Sequence, residues 1–425
     1  MKKIFGLIFI FITAWMCFTG MAKSSPKKVY VETLKNGHYQ LIVDGRPYII
    51  KGVCYNPVPI GKPGDYDYWS DPNEPWKTDG ALMKKMGVNT VRFYHPGENL
   101  QAVKKVVEDL YKLYGIRIIM GNWLGFWNYP APFYDDKEFR ERIKKETLDM
   151  VRALKDEKGI LFWVLGNENN YSFGGKINPW SSDRIDKLGN PQQCLVARAE
   201  TYYTLVDELA QEIHKIDPNH PVAMGNGELV CADVANEYAK HVDIMACIIY
   251  RGRTFGNLFK SLRATFDKPL VLIEFGCDAY NGATKSEDED DQALFLESNW
   301  SEIYKNMANN PDGAGNCLGG TIFEWSEEWW KHNEWDQNNW AVHDTDSNWS
   351  NAAYYFDINS ERNMNMNEEW FGLVKLEKDS TGGPDKRIPR KAYYVIREFW
   401  KHPHEVKIEN YSQKNNHQPI KGMKR

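Results

Sequence analysis

A chain of 425 residues is long enough to bury a sizeable core, as one large α/β domain or two smaller ones. Its 53 Lys and Arg against 58 Asp and Glu leave a net charge of -5. With no basic stripe beyond a few C-terminal lysines, this excludes a dedicated nucleic-acid surface. Aromatic residues make up 14% of the chain, with 16 Trp and 23 Tyr, a supply that suits either a large α/β core or a cleft that stacks rings.

Residues 1–22 read as a signal peptide. Lys2 and Lys3 precede an apolar run from Ile4 to Phe18, and Gly20 and Ala22 are small residues before a cut at Lys23. The run is too short for a membrane anchor, so an exported protein, periplasmic or extracellular and not inserted in the membrane, is expected. Lipoprotein attachment at Cys17 is the weaker reading, because bulky Trp15 and Met16 stand where small residues are wanted.

Residues 28–50 read as two or three short strands, with turn signals at Asn36-Gly37 and Asp44-Gly45. From there, strand and helix patterns alternate. Tyr48–Asn56 is a strand that opens into a Pro- and Gly-rich loop, and a helix near Thr78–Met86 stops at Gly87. Val88–Tyr94 is the next strand. Val103, Val106, Val107, Leu110 and Leu113 then mark one face of a helix that ends near Gly115. A third strand, Ile116–Gly125, precedes a helix carrying Phe139, Ile143, Met150, Val151 and Leu154. The run LFWVLGNENN (Leu161–Asn170) is a fourth strand, apolar on both faces and ending in Glu168. Further strands follow at Pro221–Gly227 and Val242–Tyr250. PLVLIEFGCDAY (Pro269–Tyr280) is the seventh and carries Glu274; LGGTIFEW (Leu318–Trp325) is the eighth. A helix is expected to start in the acidic stretch Glu287–Asp291, where negative charge suits a helix N-terminus. A last helix carries Tyr393, Ile396 and Trp400.

Eight strand–helix units point to an α/β fold, a (β/α)8 TIM barrel preceded by a short N-terminal β-hairpin segment. A doubly wound open sheet is the alternative, but no GxGxxG or Walker string follows any strand. The barrel domain is placed at residues 23–403 and a polar tail at 404–425. The loop Ser326–Lys386 is long enough to be functional or to carry small elements. Six cysteines (Cys54, Cys194, Cys231, Cys247, Cys277 and Cys317) fit no metal motif and no compact disulfide framework. Those in apolar runs read as small buried residues, although an exported protein permits disulfides.

In a (β/α)8 barrel the site lies at the C-terminal ends of the strands. This rule selects Tyr55 and Asn56; Arg92, Tyr94 and His95; Asn122 and Trp123; Asn167 and Glu168; Asn226 and Glu228; Tyr250; Glu274; and Glu324 and Trp325. The set is carboxylates, amides and aromatics. It contains no metal-ligand cluster and no GxSxG elbow, so neither a metal nor another cofactor is expected. Two carboxylates delivered by two buried strands are what cleavage of a glycosidic bond needs.

The strings GNE at the fourth strand end and IEFG at the seventh resemble the signature of the clan A retaining glycoside hydrolases. Within that clan, GRPYIIKGVCYNP, GVNTVRFY, IIYRGRTFG and TIFEWSEEWWK make the chain most similar to the TIM-barrel catalytic domain of glycoside hydrolase family 2, over roughly residues 38–400. The large β-sandwich domains that precede the barrel in that family have no counterpart in these strings. A bare barrel also resembles β-glucanases and β-1,3-glucanosyltransferases. The resemblance implies a retaining β-glycosidase in carbohydrate metabolism, with Glu168 as acid/base and Glu274 as nucleophile. Arg92 and Tyr250 would hydrogen-bond the nucleophile, Asn167 would grip the sugar 2-hydroxyl, and Trp325 would floor the sugar ring. His95 and Trp123 are further candidates for substrate contact. The expected partner is an oligo- or polysaccharide, and the oligomeric state is open. The alternatives are a β-glucan transglycosylase using the same site and a carbohydrate-binding barrel without catalysis.

Overall fold

Continuous apolar runs form the strands, and segments with one apolar face form the helices that cover them. The structure, a computed structural model, describes residues 28–403 except 176, 283, 346–365 and 382. The expected signal segment, Cys17 and the polar tail lie outside the described residues.

Three short antiparallel strands come first: β1 (Val29–Thr33), β2 (Tyr39–Val43) and β3 (Arg46–Tyr48). Eight parallel strands then close a barrel: β4 (Ile50–Cys54), β5 (Thr90–Phe93), β6 (Arg117–Asn122), β7 (Ile160–Leu165), β8 (Val222–Gly227), β9 (Ile244–Ile248), β10 (Leu270–Phe275) and the eighth barrel strand (Cys317–Ile322). The eighth strand pairs with both β10 and β4, so the sheet has no edge. This is the (β/α)8 barrel expected from the sequence. Of the two or three N-terminal strands expected, three form, as an antiparallel sheet in which β2 pairs on both sides.

Each barrel strand is followed by a helix: α1 (Pro75–Met86), α2 (Leu100–Tyr114), α3 (Lys137–Leu154), the short α4 (Asp183–Asp186) with α5 (Pro191–Ile216), α6 (Ala232–Tyr238), α7 (Leu258–Thr265), α8 (Glu289–Lys305) and α9 (Lys391–Lys401). Local chemistry sets their ends. Helix α1 begins three residues earlier than its pattern suggests, at Pro75, whose missing N–H is harmless in a first turn. Asn99 caps α2 by accepting from the backbone N–H groups of Gln101 and Ala102, and Gly115 ends it at φ 74. The acidic run starts α8, with Asp288 capping Asp291. No described helix is long and apolar enough to cross a membrane.

The core is layered. One cluster fills the barrel and its lower end, where Val29, Leu41 and Val43 of the small sheet meet Ile50, Ile119, Phe162, Val271 and Ile273. A larger cluster lies between strands and helices, including Trp163, Leu270, Leu272, Phe275 and Trp300. The small sheet therefore plugs the N-terminal end and leaves the opposite end for polar side chains. Of the six described cysteines, four are buried: Cys54, Cys247, Cys277 and Cys317.

Candidate active site

Glu274 reaches the barrel mouth through a change of strand parity. Leu270 and Leu272 face the helices, whereas Val271 and Ile273 face the barrel interior. Strict alternation would send residue 274 outward. The register of β10 shifts against both neighbours between Leu272 and Phe275. Beyond the shift it is Phe275 that faces outward, its ring 5.8 Å from Phe255 and 6.0 Å from Trp300. An irregularity of this kind re-aims a side chain next to an active site, and here it turns Glu274 inward.

The Glu274 carboxylate is clamped. Arg92 Nη1 donates to Oε1 at 2.7 Å, Tyr94 Oη donates to the same oxygen at 2.8 Å, and Tyr250 Oη donates to Oε2 at 3.0 Å. Burial, above all, pushes both phenols well above their ordinary range, so they remain protonated donors. Arg92 is itself buried and also donates to the Ile273 carbonyl at 2.9 Å and to Asn167 Oδ1 at 2.5 Å. Because guanidinium only donates, the Asn167 oxygen faces Arg92 and its amide nitrogen faces away.

Glu168 enters by a different device. Gly166 leaves the strand at φ 78, and a Cβ there would lie 2.1 Å from Tyr202 Oη, so only glycine fits the turn. Asn167 and Glu168 then project from the turn, braced by Asn169, whose side chain accepts from the Asn167 N–H at 2.7 Å. Asn169 also donates to the Trp123 carbonyl and to Tyr134 Oη, tying this turn to the loop after β6. Burial, and then the charges of Glu274 and Glu368, push the Glu168 carboxyl up to about 8. It is therefore protonated near neutral pH.

The structure brings Arg92, Asn167, Glu168, Tyr250 and Glu274 together at one mouth. Trp123 borders them, half-buried, with its ring stacked on Tyr94 at 5.1 Å and 15°. His95 lies further out, exposed, 6.1 Å from the Trp123 ring. Trp325 corrects an expectation. It is 0% exposed, its backbone N–H donates to the Cys54 carbonyl, and its ring packs edge-on to Tyr393 of α9. It belongs to the layer between strands and helices, which leaves no face for a sugar.

Tyr94 was selected only as a strand-end residue, without a role; its spacing of two from Arg92, which turns both side chains the same way, is the signal for the role it takes on Glu274. Two further residues were not selected from the sequence. Lys331 and Glu368 come from the long loop Ser326–Lys386, where no periodicity operates. Lys331 pairs with Glu328 at 2.8 Å and with Glu368, and Asn56 donates to Glu328 at 2.8 Å. Burial opposes the lysine charge, yet Glu328, Glu368 and Glu324 hold it above the usual range. Glu324 is buried, and burial together with the Glu328 charge pushes its carboxyl well above the ordinary range. The same loop contributes a strand pair, Val374–Glu377 with Lys386–Pro389. Among the described residues no group of His, Cys, Asp and Glu could hold a metal ion.

Fold and site together define a (β/α)8 barrel with a paired-carboxylate centre at the ends of its fourth and seventh strands. The description "Glycosyl hydrolases family 2, TIM barrel domain" matches residues 70–305, more than half of the chain, and the protein belongs to this family. No curated protein matches it. Among solved structures it is similar to Bacteroides uniformis β-glucuronidase 3, at 13% identity and a TM-score of 0.54, covering 88% of this chain and 40% of that one. It is also similar to a β-galacturonidase from Eisenbergiella tayi, at 16% identity and a TM-score of 0.52, covering 88% and 54%. β-D-Glucuronidase from Dictyoglomus thermophilum gives 14% identity and a TM-score of 0.53, covering 88% and 53%. At these identities the likeness is one of fold, and the chain spans about half or less of the length of these proteins.

Proposed function

We propose that the protein is a retaining β-glycosidase that works by double displacement. The observation that carries this reading is the unequal pair: Glu274 is clamped by Arg92, Tyr94 and Tyr250, while Glu168 is pushed up to about 8. In the first step a Glu274 oxygen bonds to the anomeric carbon. The glycosidic C–O bond breaks and the leaving oxygen takes the Glu168 proton. In the second step water gives a proton to the Glu168 carboxylate and attacks the anomeric carbon, which frees Glu274. Asn167, with its oxygen engaged by Arg92, offers its amide N–H to the sugar 2-hydroxyl.

The sugar is proposed to be uncharged. The cations that act on Glu168 are Arg92 and Lys331, and each is already engaged by carboxylates. A uronic acid would bring another negative charge beside Glu274 and Glu368, where both cations that act on Glu168 among the described residues are already engaged. This separates the chain from the proteins named β-glucuronidase and β-galacturonidase whose fold it shares. Residues 1–22 are proposed to direct export, which fractionation of producing cells tests.

The decisive experiment is a panel of aryl β-glycosides, with the anomer of the released sugar followed by NMR. Release of the β-anomer first from a neutral glycoside, abolished in Glu274→Ala, is the expected result. Direct release of the α-anomer, or full activity of that variant, rejects the mechanism. Preferential cleavage of the β-glucuronide rejects the uncharged sugar. Mass spectrometry of the products distinguishes water from a second sugar as acceptor, because transfer yields longer oligosaccharides.

A further inference from the structure

From the Glu274 carboxylate outward, aromatic rings continue past the catalytic mouth. Tyr94 touches Glu274, its ring stacks on Trp123, and Trp123 meets Trp127 edge-on at 6.2 Å. Trp127 is 59% exposed although it is among the most apolar of large side chains. Its position is built. Phe126, beside it in sequence, is buried and packs against it at 4.9 Å, and Leu124 is fully buried at φ 51. A non-glycine residue in the left-handed region is held there only when its surroundings require it, and here Asn122 Oδ1 accepts from the Leu124 N–H at 2.9 Å. The loop thus accepts backbone strain to set Trp123 and Trp127 at an angle to each other.

Trp123 and Trp127 line a cavity of about 530 Å³ between the loop after β5, the loop after β6 and helix α3. Asn122, Asn128, Lys145, Glu146 and Asp149 supply its polar lining. The volume is within the ~300–1,000 Å³ of ligand sites. Apolar ring faces bordered by amides, carboxylates and the Lys145 ammonium match one kind of ligand well. The C–H face of a β-linked pyranose is apolar, and its rim is a row of hydroxyl donors.

We infer that this groove is a binding site for further sugar units of a β-linked chain whose scissile bond lies at Glu168 and Glu274. The inference rests on the glycosidase reading and deepens it: the substrate is an oligo- or polysaccharide rather than a single glycoside. Trp123 joins the groove to the clamp on Glu274 through its stack on Tyr94, and this link argues for the same chain that the carboxylates cut.

The test compares substrates of different length. β-Linked gluco-, manno-, xylo- and galacto-oligosaccharides of two to six units are offered to the wild type and to Trp127→Ala. In the series that is cut, the ratio of kcat/KM for the six-unit over the two-unit sugar is expected to fall about tenfold in the variant, the scale of one lost aromatic contact. Trp127→Phe, which keeps a ring, recovers most of the ratio. Trp335→Ala, which removes a ring that is 92% exposed outside the groove, leaves the ratio unchanged. Titration of the same sugars into Glu168→Gln by calorimetry reads binding without turnover, and affinity should rise with length in the Trp127 protein only. Cleavage that is independent of length, a ratio unchanged by Trp127→Ala, or an affinity that does not rise with length would overturn the groove and leave the glycosidase reading standing. Failure of the wild type to cleave any aryl β-glycoside or oligosaccharide would instead remove the glycosidase reading itself, and the groove proposal with it.

Discussion

The ends of β7 and β10 both deliver a glutamate to the same mouth, yet they do so by opposite means. At β10 a shift of register turns Glu274 inward, and three donors fix it. At β7 a glycine turn releases the chain, and no described residue hydrogen-bonds the Glu168 carboxyl. The turn that carries it is held instead at Gly166 and by Asn169, which accepts from the Asn167 N–H. The lesson is that two identical side chains acquire different chemistry from their surroundings. A carboxylate surrounded by donors is oriented for attack, whereas one that is desolvated and beside negative charge keeps a proton to give.

The comparison can be broken most severely at Glu274. Glu274→Ala is expected to lower kcat on the order of 10⁵-fold whatever the leaving group, since no covalent intermediate forms. Glu168→Ala should lower turnover by roughly 10²–10⁴-fold on substrates with poor leaving groups, and far less where the leaving group needs no proton. Azide should partly restore it, because a small anion can attack the glycosyl-enzyme without a general base. Equal losses on all substrates in both variants would erase the distinction between the two glutamates.

Smaller effects sharpen it. Tyr94→Phe removes one donor from Glu274 and should reduce kcat about 10²-fold, with KM little changed. The pH profile should show an alkaline limb near 8, because the proton on Glu168 is lost as pH rises through that value. Glu368→Gln takes away a charge that keeps Glu168 protonated and frees Lys331 to act on it. Both changes lower the Glu168 value, so the limb should move to lower pH. A limb that stays in place would separate Glu368 from the proton carrier. On the packing side, Phe275→Ala removes the ring that holds the outward side of the register shift. It should cost about 3–5 kcal/mol in denaturant unfolding as well as activity.

Much of this was legible in the chain itself. The order of strands and helices, the closure into a barrel, and the presence of Arg92, Asn167, Glu168, Tyr250 and Glu274 at strand ends follow from apolar runs, apolar periodicity and the rule for barrel ends. These are local properties, and local properties survive in a linear string. Trp325 shows the limit. It stands at a strand end like Tyr250, but which side of the sheet it takes depends on its neighbours in space, and it packs against α9. Lys331 and Glu368 lie in a loop without periodicity, so only folding shows that they meet Glu328 and act on Glu168.

The sequence by itself determined the architecture and the two glutamates, because strand length, strand order and the residue at each strand end are written in the apolar pattern. The tertiary structure alone decided which way each end residue points. That choice rests on a register shift in β10, on a positive φ at Gly166 and on the ring of Phe275 finding Trp300. The register shift and the ring contact join elements that meet only in the folded barrel, and the Gly166 turn packs against Tyr202 of α5.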